Sequence, residues 1–382
     1  MIKIKNKSMC SGCHACVNIC PKQCIAMASD EEGFLYPVVD KEKCIECGLC
    51  EKVCYAINPC KNENLPEVYA CYNKDDAVRA SSSSGGIFTL FAELILNLNG
   101  VIFGAAFDEN LVIKHICVDN KEDLHKLRAS KYVQSIVGDS YKKAKELLEN
   151  GRVVLFTGTP CQINGLMSYL GKKYDNLYTQ DIICHGVPSS KVWKKYLEYM
   201  EKSHGSKVAS TINPSFRAKT FGWLNYSVKI NFENKTVHDE TLKKDLFMRS
   251  YLSNALLRPS CYKCASKGLQ RISDVTLADF WGVNKVLPEM FDDKGTSLIF
   301  LNTEKGKRLF SEVQAQCVFK KTDVDTAVKH NSAAYASPIK PLNRKKVMKN
   351  MDRWDFKVIH QECCKKTLLD KIQRKLKRIS KS

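Results

Sequence analysis

Two runs of cysteines decide how the first part of this chain folds. They read Cys10-Ser-Gly-Cys13-His-Ala-Cys16-Val-Asn-Ile-Cys20-Pro21 and Cys44-Ile-Glu-Cys47-Gly-Leu-Cys50-Glu-Lys-Val-Cys54. The second run repeats the spacing of the first, shifted by 34 residues at every cysteine. Three thiolates at intervals of three residues can hold three corners of a four-iron, four-sulfur cube, while the fourth ligand must come from elsewhere. Zinc sites use pairs of cysteines instead, so the spacing predicts two 4Fe-4S clusters.

The two runs are expected to exchange their last ligands. In bacterial ferredoxins with two clusters and this spacing, the last cysteine of each run ligates the cluster of the other run. By that rule one cluster is held by the Cys10 set, which is Cys10, Cys13, Cys16 and Cys54. The other is held by the Cys44 set, which is Cys44, Cys47, Cys50 and Cys20. Residues 1–60 are therefore predicted to form a small α+β domain like a bacterial ferredoxin, in which Cys24 and Cys60 are dispensable.

Composition places the chain among intracellular proteins. The 382 residues are 44% hydrophobic and include nineteen cysteines. No export signal is recognisable before the first cysteine run, and no stretch of eighteen apolar residues occurs. Together these features predict a protein of the reducing cytoplasm whose cysteines bind metal.

The charge of +19 is concentrated at the C-terminus, where residues 343–382 carry fourteen basic and four acidic side chains. We expect no nucleic acid as partner, because aromatic residues are not interleaved with these cations. One face of a predicted tail helix carries Leu368, Leu369, Ile372, Leu376 and Ile379. A basic amphipathic helix of this kind either contacts an anionic membrane peripherally or packs onto the main domain, and the sequence leaves both readings open.

Between a linker at 61–66 and this tail, residues 67–342 alternate between strand and helix patterns. Val101–Phe107 and Val153–Phe156 are apolar throughout, as expected of strands covered on both faces. Thr159 and Pro160 have the residue types of a helix start. This alternation predicts an α/β domain with a largely parallel central sheet.

Four further cysteines fall at informative places in this domain. Cys161 follows one predicted strand and Cys184 ends another, so parallel strands would bring both to the carboxyl edge of the sheet, where α/β domains bind ligands. Cys261-Tyr-Lys-Cys264 supplies a second pair. These four, the Cys161 set, could hold a third 4Fe-4S cluster. The spacing equally allows two buried structural cysteines and a separate pair that is free or binds zinc.

The first helix of this domain begins after Arg79-Ala-Ser-Ser-Ser-Ser-Gly-Gly86. A glycine-rich helix start can bind phosphate, but a serine cap with a flexible approach has the same appearance. Neither a P-loop motif nor a G-x-G-x-x-G after a strand occurs, which argues against a P-loop nucleotidase and against the usual nicotinamide site.

Several motifs carry a family resemblance. They are Ser84-Gly85-Gly86, Ser130-Lys-Tyr132, Phe156-Thr-Gly-Thr-Pro-Cys-Gln162, Cys184-His-Gly186, Phe216-Arg217 with Lys219, Cys261-x2-Cys264 and Asp279-Phe-Trp-Gly282. With them, residues 67 to about 340 resemble the flavoprotein beta subunits of deazaflavin (F-420) hydrogenases and dehydrogenases. The resemblance implies FAD, a 4Fe-4S cluster and a deazaflavin, flavin-like or other small organic substrate. Some relatives of the fused form resemble members of surface-polysaccharide gene sets. In one departure, Cys54 is followed by Tyr55 where the matching Cys20 is followed by proline.

The resulting prediction is an iron–sulfur flavoprotein oxidoreductase with a redox partner such as ferredoxin, a reductase or a hydrogenase. Candidates for the FAD phosphates are Ser84, Gly85, Gly86, Thr157, Gly158 and Thr159. Candidate proton donors or substrate anchors are Lys131, His185 and Arg217. Two alternatives belong to other classes. One is a ferredoxin-type electron carrier without catalysis, and the other is a nucleic-acid-binding iron–sulfur protein.

Overall fold

The computed structural model describes residues 1–59 and 65–365. Cys60, most of the predicted linker and the tail helix from Leu368 to Ile379 lie outside the described residues. Within the two described ranges, no helix is long and apolar enough to cross a bilayer.

The N-terminal module holds one short helix in each cysteine run and a two-stranded antiparallel sheet between them. Its elements are α1 (Ala15–Ile19), β1 (Ile25–Ser29), β2 (Leu35–Val39) and α2 (Leu49–Lys52). Both helices begin after a residue in the left-handed backbone region, His14 (φ 66°) and Gly48 (φ 73°). These sharp turns bring the cysteines of each run around one point. The small α+β domain predicted at the N-terminus is therefore present.

A sheet of eight strands forms the centre of the main domain. In chain order its strands are β3 (Glu67–Asn73), β4 (Val101–Phe107), β5 (Ile113–Val118), β6 (Val154–Thr157), β7 (Leu177–Ile182), then, after a second sheet, β11 (Val275–Asp279), β12 (Ser297–Leu301) and β13 (Cys317–Thr322). In space they follow the order β13-β3-β12-β11-β7-β6-β4-β5.

Four neighbouring strands, β11, β7, β6 and β4, are parallel, whereas every other pairing in the sheet is antiparallel. Five of the eight strands thus run in one direction and the sheet is mixed. The prediction of a largely parallel sheet holds for this centre and misses the antiparallel strands at both sides. Periodicity indicates burial but carries no information on strand direction, so it could not show them.

Helices cover both faces of this sheet. On one face lie α4 (Ile87–Asn97) and α10 (Glu304–Ser311), packed on β4, β6 and β12. The other face carries α5 (Ser140–Glu149) and α6 (Pro160–Leu170), packed on Phe103 and Phe156. Alternate residues of β4 and β6 enter the two cores, which explains why these strands are apolar throughout.

A second unit packs beside the sheet around the largest apolar core. It comprises α7 (Ser190–His204), the antiparallel strands β8 (Ser215–Ala218), β9 (Ser227–Asn231) and β10 (Val237–Thr241), and α8 (Leu246–Leu252). Phe34 and Tyr36 of the N-terminal module belong to the same core, so the module is packed against the main domain.

The remaining helices are α3 (Asp76–Ala80), α9 (Val283–Val286), α11 (Val324–Val328), α12 (Arg344–Lys349) and α13 (Phe356–Cys364). The last two lie in the predicted tail, yet Val347, Phe356 and Ile359 are buried in the core of the second unit. Up to Cys364, therefore, the segment is held by apolar packing. The domain boundaries at 60 and 343 remain predictions.

Candidate functional site

The Cys10 set converges in the structure. Burial raises the pKa of the Cys16 thiol, and Cys13, Cys10 and Cys54 raise it further by their charge. Cys54 comes from the second run, so the crossed ligand of the sequence prediction lies beside the first three. Four thiolates in this arrangement have the chemistry and number that a 4Fe-4S cluster requires.

The Cys44 set lines a small pocket nearer the surface. Cys20, Cys44, Cys47 and Cys50 all border it, and Cys47 is exposed to solvent. The backbone N–H of Ile2 donates to Cys50 Sγ at 3.2 Å. Cys24 also borders this pocket, with its sulfur 3.4 Å from that of Cys20. The sequence spacing excluded Cys24 as a ligand and could not show this contact.

The Cys161 set converges as well. Cys161 lies in the first turn of α6, Cys184 lies two residues beyond β7, and the other pair lies in and after the short 3-10 turn Pro259–Lys263. Burial raises the pKa of the Cys161 thiol, and three neighbouring thiols raise it further. They belong to Cys264, Cys184 and Cys261. Of the two readings that the spacing left open, this convergence fits a four-thiolate site better than two unrelated pairs.

The spacing of the thiols can be compared with that of the ligands of a single metal ion. Throughout residues 1–59 and 65–365, no three His, Cys, Asp or Glu side chains lie close enough together to hold one ion. Thiolates around a cluster bind separate irons at its corners, so they stand further apart than the ligands of a single ion. Each set supplies four cysteine thiols, the donor type and number of a 4Fe-4S cluster, and ligation of a third cluster by the Cys161 set stays a prediction.

The Cys10 set lies close to the Cys161 set. A Cβ atom built on Gly165 would stand 2.8 Å from Cys13 Cβ and 3.0 Å from Cys13 Sγ. Because Gly165 is one turn after Cys161 on α6, Cys13 packs on the same face of that helix. Tyr55 is buried at this contact, and burial, Cys161 and Cys13 all raise its pKa. The sequence marked Tyr55 only as a departure from proline, and its place between two cysteine sets was missed.

A cavity of about 810 Å³ opens beside the Cys161 set. It lies at the carboxyl ends of β6 and β7 and is bordered by all four cysteines of the set. Its wall continues to Ser84, Gly86 and the start of α4 on one side, and to Tyr226, Tyr251 and Trp281 on the other. The ligand position expected at this edge of a parallel sheet is therefore an open cavity.

The predicted phosphate-binding residues lie at this cavity, with the exception of Gly85. Ser84, Gly86, Thr157, Gly158 and Thr159 line it. Gly85 is buried instead: its N–H donates to Ser297 Oγ at 2.9 Å, and an added Cβ would stand 2.5 Å from the carbonyl oxygen of Cys71. The close approach of two backbones explains this glycine without any ligand.

Two of the proposed backbone donors already have acceptors inside the protein. The N–H of Gly158 donates to Gln180 O at 3.1 Å, and that of Thr159 donates to Gln162 Oε1 at 2.9 Å. The helix cap and the loop contact to β7 thus already use these two N–H groups, and cofactor binding by Thr157, Gly158 and Thr159 stays a prediction. The first turn of α4 differs, since an α-helix leaves its first N–H groups without partners inside the helix. Ile87 and Phe88 of that turn line the cavity.

The three candidate proton donors or substrate anchors differ in whether they border the cavity. Lys131 and His185 line the cavity, whereas Arg217 lies behind its wall. Burial lowers the pKa of Lys131 to about 7, and its ammonium group donates to three backbone carbonyls, the closest being Arg128 O at 2.7 Å. His185 Nε2 lies 2.7 Å from Asn254 Oδ1, and burial lowers its pKa. Both side chains can change protonation near neutral pH or below it.

Arg217 is engaged in an internal ion pair and does not reach the cavity. It contacts both carboxylate oxygens of Asp279, at 2.6 and 3.0 Å, and its guanidinium lies 4.0 Å from the ring centre of Tyr226. Burial alone would lower the pKa of Arg217, but Asp279 raises it. Its Nη atoms also donate to Tyr132 Oη at 3.1 Å and to Ser83 O at 3.2 Å, whereas its buried Nε has no partner in the described structure. That Arg217 anchors a substrate stays a prediction. Its guanidinium lies against the aromatic residues Tyr226 and Trp281, which line the cavity.

The charge of the cavity wall favours an anionic ligand. Its six cationic side chains are Arg128, Lys131, Arg258, Lys263, Lys267 and Arg271. The single carboxylate among the lining residues is Asp279, which Arg217 neutralises. One wall residue, Gln180, carries a buried Oε1 with no hydrogen-bond partner in the described structure. Of the six cations, the sequence indicated only Lys131, because the others come from segments that are distant in the chain.

Two family models match separate parts of the chain. Residues 9–56 match the model of the 4Fe-4S dicluster domain. Residues 151–327 match the model of the C terminus of the coenzyme F420 hydrogenase/dehydrogenase beta subunit. A coenzyme F420-dependent sulfite reductase of Methanocaldococcus jannaschii is 34% identical over 174 residues, which are 43% of this chain and 26% of that protein. The chain thus spans about a quarter of that relative.

Among solved structures, the F420-reducing [NiFe] hydrogenase complex from Methanosarcina barkeri contains a similar chain. The match covers 79% of this chain and 94% of that one, with a TM-score of 0.46 and 18% sequence identity. The two family models cover both the N-terminal cysteine runs and most of the segment that carries the Cys161 set. The family resemblance seen in the sequence is thus confirmed for residues 151–327, which match the C terminus of the coenzyme F420 hydrogenase/dehydrogenase beta subunit, and residues 9–56 match a 4Fe-4S dicluster domain.

Proposed function

We propose that this chain is an iron–sulfur flavoprotein oxidoreductase. In this proposal the Cys10, Cys44 and Cys161 sets each hold a 4Fe-4S cluster, and the central cavity holds FAD beside the Cys161 set. The observation that carries the proposal is the continuity of the cavity. One cavity borders all four cysteines of the Cys161 set, the start of α4 and an aromatic wall. A cofactor lying in it is next to the last cysteine set of the series.

FAD suits this position because it exchanges single electrons with clusters and an electron pair or hydride with an organic substrate. The protein's part is to bind and orient the cofactor. The N–H groups in the first turn of α4, which have no partner inside the helix, and the positive wall favour its pyrophosphate. Tyr226, Tyr251 and Trp281 offer aromatic surfaces for a ring system on the other side. Arg217 and Asp279 keep this aromatic wall in place.

In this proposal electrons pass from the Cys44 set through the Cys10 set to the Cys161 set and the cavity. Cys47 is exposed, the Cys10 set contacts α6, and the Cys161 set borders the cavity. A redox partner such as ferredoxin or a reductase would therefore deliver or receive electrons near Cys47. The organic substrate is a deazaflavin or another flavin-like molecule, in agreement with the F420-dependent activity that its sulfite reductase relative is named for. A place in surface-polysaccharide metabolism stays a prediction.

The test is the cofactor content of the full chain, purified without oxygen. We expect iron and sulfide for 4Fe-4S clusters together with tightly bound FAD, and reduction of the flavin by dithionite or reduced ferredoxin but poorly by NADH. Protein that contains its clusters but takes up neither FAD nor F420 on reconstitution would contradict the proposal. That result would favour a ferredoxin-type electron carrier without catalysis.

A further inference from the structure

Arg258 is a buried cation without an acidic partner among the described residues. Five arginines are buried in this part of the chain, and Arg258 is 1% exposed. The other four each form an ion pair with a carboxylate: Arg79 with Asp292, Arg217 with Asp279, Arg271 with Asp181, and Arg344 with Glu32. A buried charge without a counter-charge is strongly unfavourable, so the position of Arg258 calls for a negative group that the polypeptide does not supply.

The guanidinium of Arg258 points at the Cys10 set. Its Nε donates to Cys10 O at 2.9 Å, and its Nη2 lies 3.9 Å from Cys10 Sγ. The remaining contacts are neutral oxygens, Gln134 Oε1 at 2.9 Å and Leu35 O at 2.8 Å. These neutral oxygens accept three of the five N–H groups of the side chain but leave its charge uncompensated. A negative charge at the Cys10 set would lie next to it.

Residues of the N-terminal module pack closely around the guanidinium of Arg258. Gly12, between the first two cysteines, has φ +68°, and an added Cβ would stand 2.9 Å from Arg258 Nη1. The ring centre of Tyr36 lies 4.4 Å from the guanidinium. On the other side, the carbonyl of Arg258 accepts from the N–H of Cys261 at 2.9 Å. One residue thus joins the N-terminal module to the segment that carries half of the Cys161 set.

We infer that Arg258 is the counter-ion of the cluster held by the Cys10 set and raises its reduction potential. The inference rests on the proposed function, since it requires clusters at the predicted cysteines. A 4Fe-4S cluster with four thiolates is an anion and gains one further negative charge on reduction, so an adjacent fixed cation favours the reduced form. When one electron moves inward from the Cys44 set, the donor is oxidised, the acceptor is reduced and no bond forms or breaks. Arg258 makes that transfer more favourable than it would be without the cation.

Arg344 provides a matched control. It is buried to a similar degree at the same junction, 4% exposed, and it also ties the N-terminal module to the main domain. Its two Nη atoms bind the two carboxylate oxygens of Glu32, at 2.9 and 2.6 Å. Its charge is therefore compensated by the protein. Losing Arg344 removes a comparable structural contact without removing a charge that faces a cluster.

The experiment is a redox titration, followed by electron paramagnetic resonance, of the full chain and three variants with measured iron content. In Arg258→Gln one cluster should fall in midpoint potential, so that the equilibrium for inward electron transfer drops at least tenfold, which is about 59 mV for one electron. Arg258→Lys keeps the charge and should retain most of the wild-type potential. Arg344→Gln should leave every midpoint unchanged.

Two results would overturn the inference. One is Arg258→Gln with full iron and wild-type midpoints, and the other is an equal shift in Arg344→Gln. If Arg258→Gln fails to assemble its clusters, the charge-retaining variant Arg258→Lys decides. Full iron with the wild-type potential supports Arg258 as the counter-ion. Full iron with a strongly lowered potential refutes it. Wild-type protein without clusters would instead refute the proposed function itself.

Discussion

Gly165→Ala tests the contact between the N-terminal module and α6. The new methyl carbon would stand 2.8 Å from Cys13 Cβ and 3.0 Å from both Cys13 Sγ and Tyr141 Oη. Carbon atoms in good contact are roughly 3.5–4.0 Å apart, so Cys13 must move by about 1 Å. Overpacking of this kind costs about 1–3 kcal/mol, while alanine in place of glycine inside a helix returns about 1 kcal/mol. We expect the free energy of unfolding to fall by about 0–2 kcal/mol.

The distinctive result should be at the cluster. Displacing Cys13 should lower iron content or change the paramagnetic signal of one reduced cluster only. Gly171→Ala is the control: it ends the same helix with φ +65° and has open space around it. Its left-handed backbone makes alanine cost about 1–2 kcal/mol without touching any cysteine set. If both variants show the same iron content and the same spectra, Cys13 does not pack on α6 and the reasoning is refuted.

Three further predictions follow from single contacts. Cys20→Ser should damage the cluster of the Cys44 set and spare that of the Cys10 set; loss of only the latter would disprove the crossed ligation. Lys131→Met should weaken binding of the anionic cofactor several-fold well below pH 7 and little well above it, because the wild-type amine, with a pKa of about 7, is charged only at the lower pH. Flavin titrations at two pH values measure this difference. An equal loss of affinity at both pH values would argue against a role for the Lys131 charge. Arg217→Ala should lower the free energy of unfolding by about 3–5 kcal/mol, since it leaves Asp279 without its counter-charge, whereas a denaturation midpoint like that of the wild type would contradict the ion pair.

The sequence predicts those parts of the molecule in which local pattern and chemistry coincide. The helix that begins at Ile87 and the strand Val101–Phe107 occur as predicted, because apolar periodicity is fixed by the face that each element buries. The cysteine sets also converge as predicted, since their spacing is a local constraint. The Cys161 set required the additional assumption that β6 and β7 are parallel neighbours, which the structure confirms.

What the sequence could not indicate depends on distant contacts. The ion pair of Arg217 with Asp279, 62 residues away in the chain, carried no local sequence signal. Gly85 and Gly158 looked like a phosphate loop, yet the close approach of Cys71 and the hydrogen bond to Gln180 explain them. Arg258 carried no local signal at all, because its significance lies in the lack of a carboxylate around it among the described residues.

The most direct test of the central claim is the iron content of Cys261→Ser/Cys264→Ser beside that of the wild type. Three filled cysteine sets correspond to about twelve iron atoms per chain, and loss of the Cys161 set should leave about eight. The account predicts this drop of about four, with the signals of the two N-terminal clusters retained and electron transfer to the bound flavin slowed. A wild type with only about eight iron atoms, and a double variant with the same number, would contradict it.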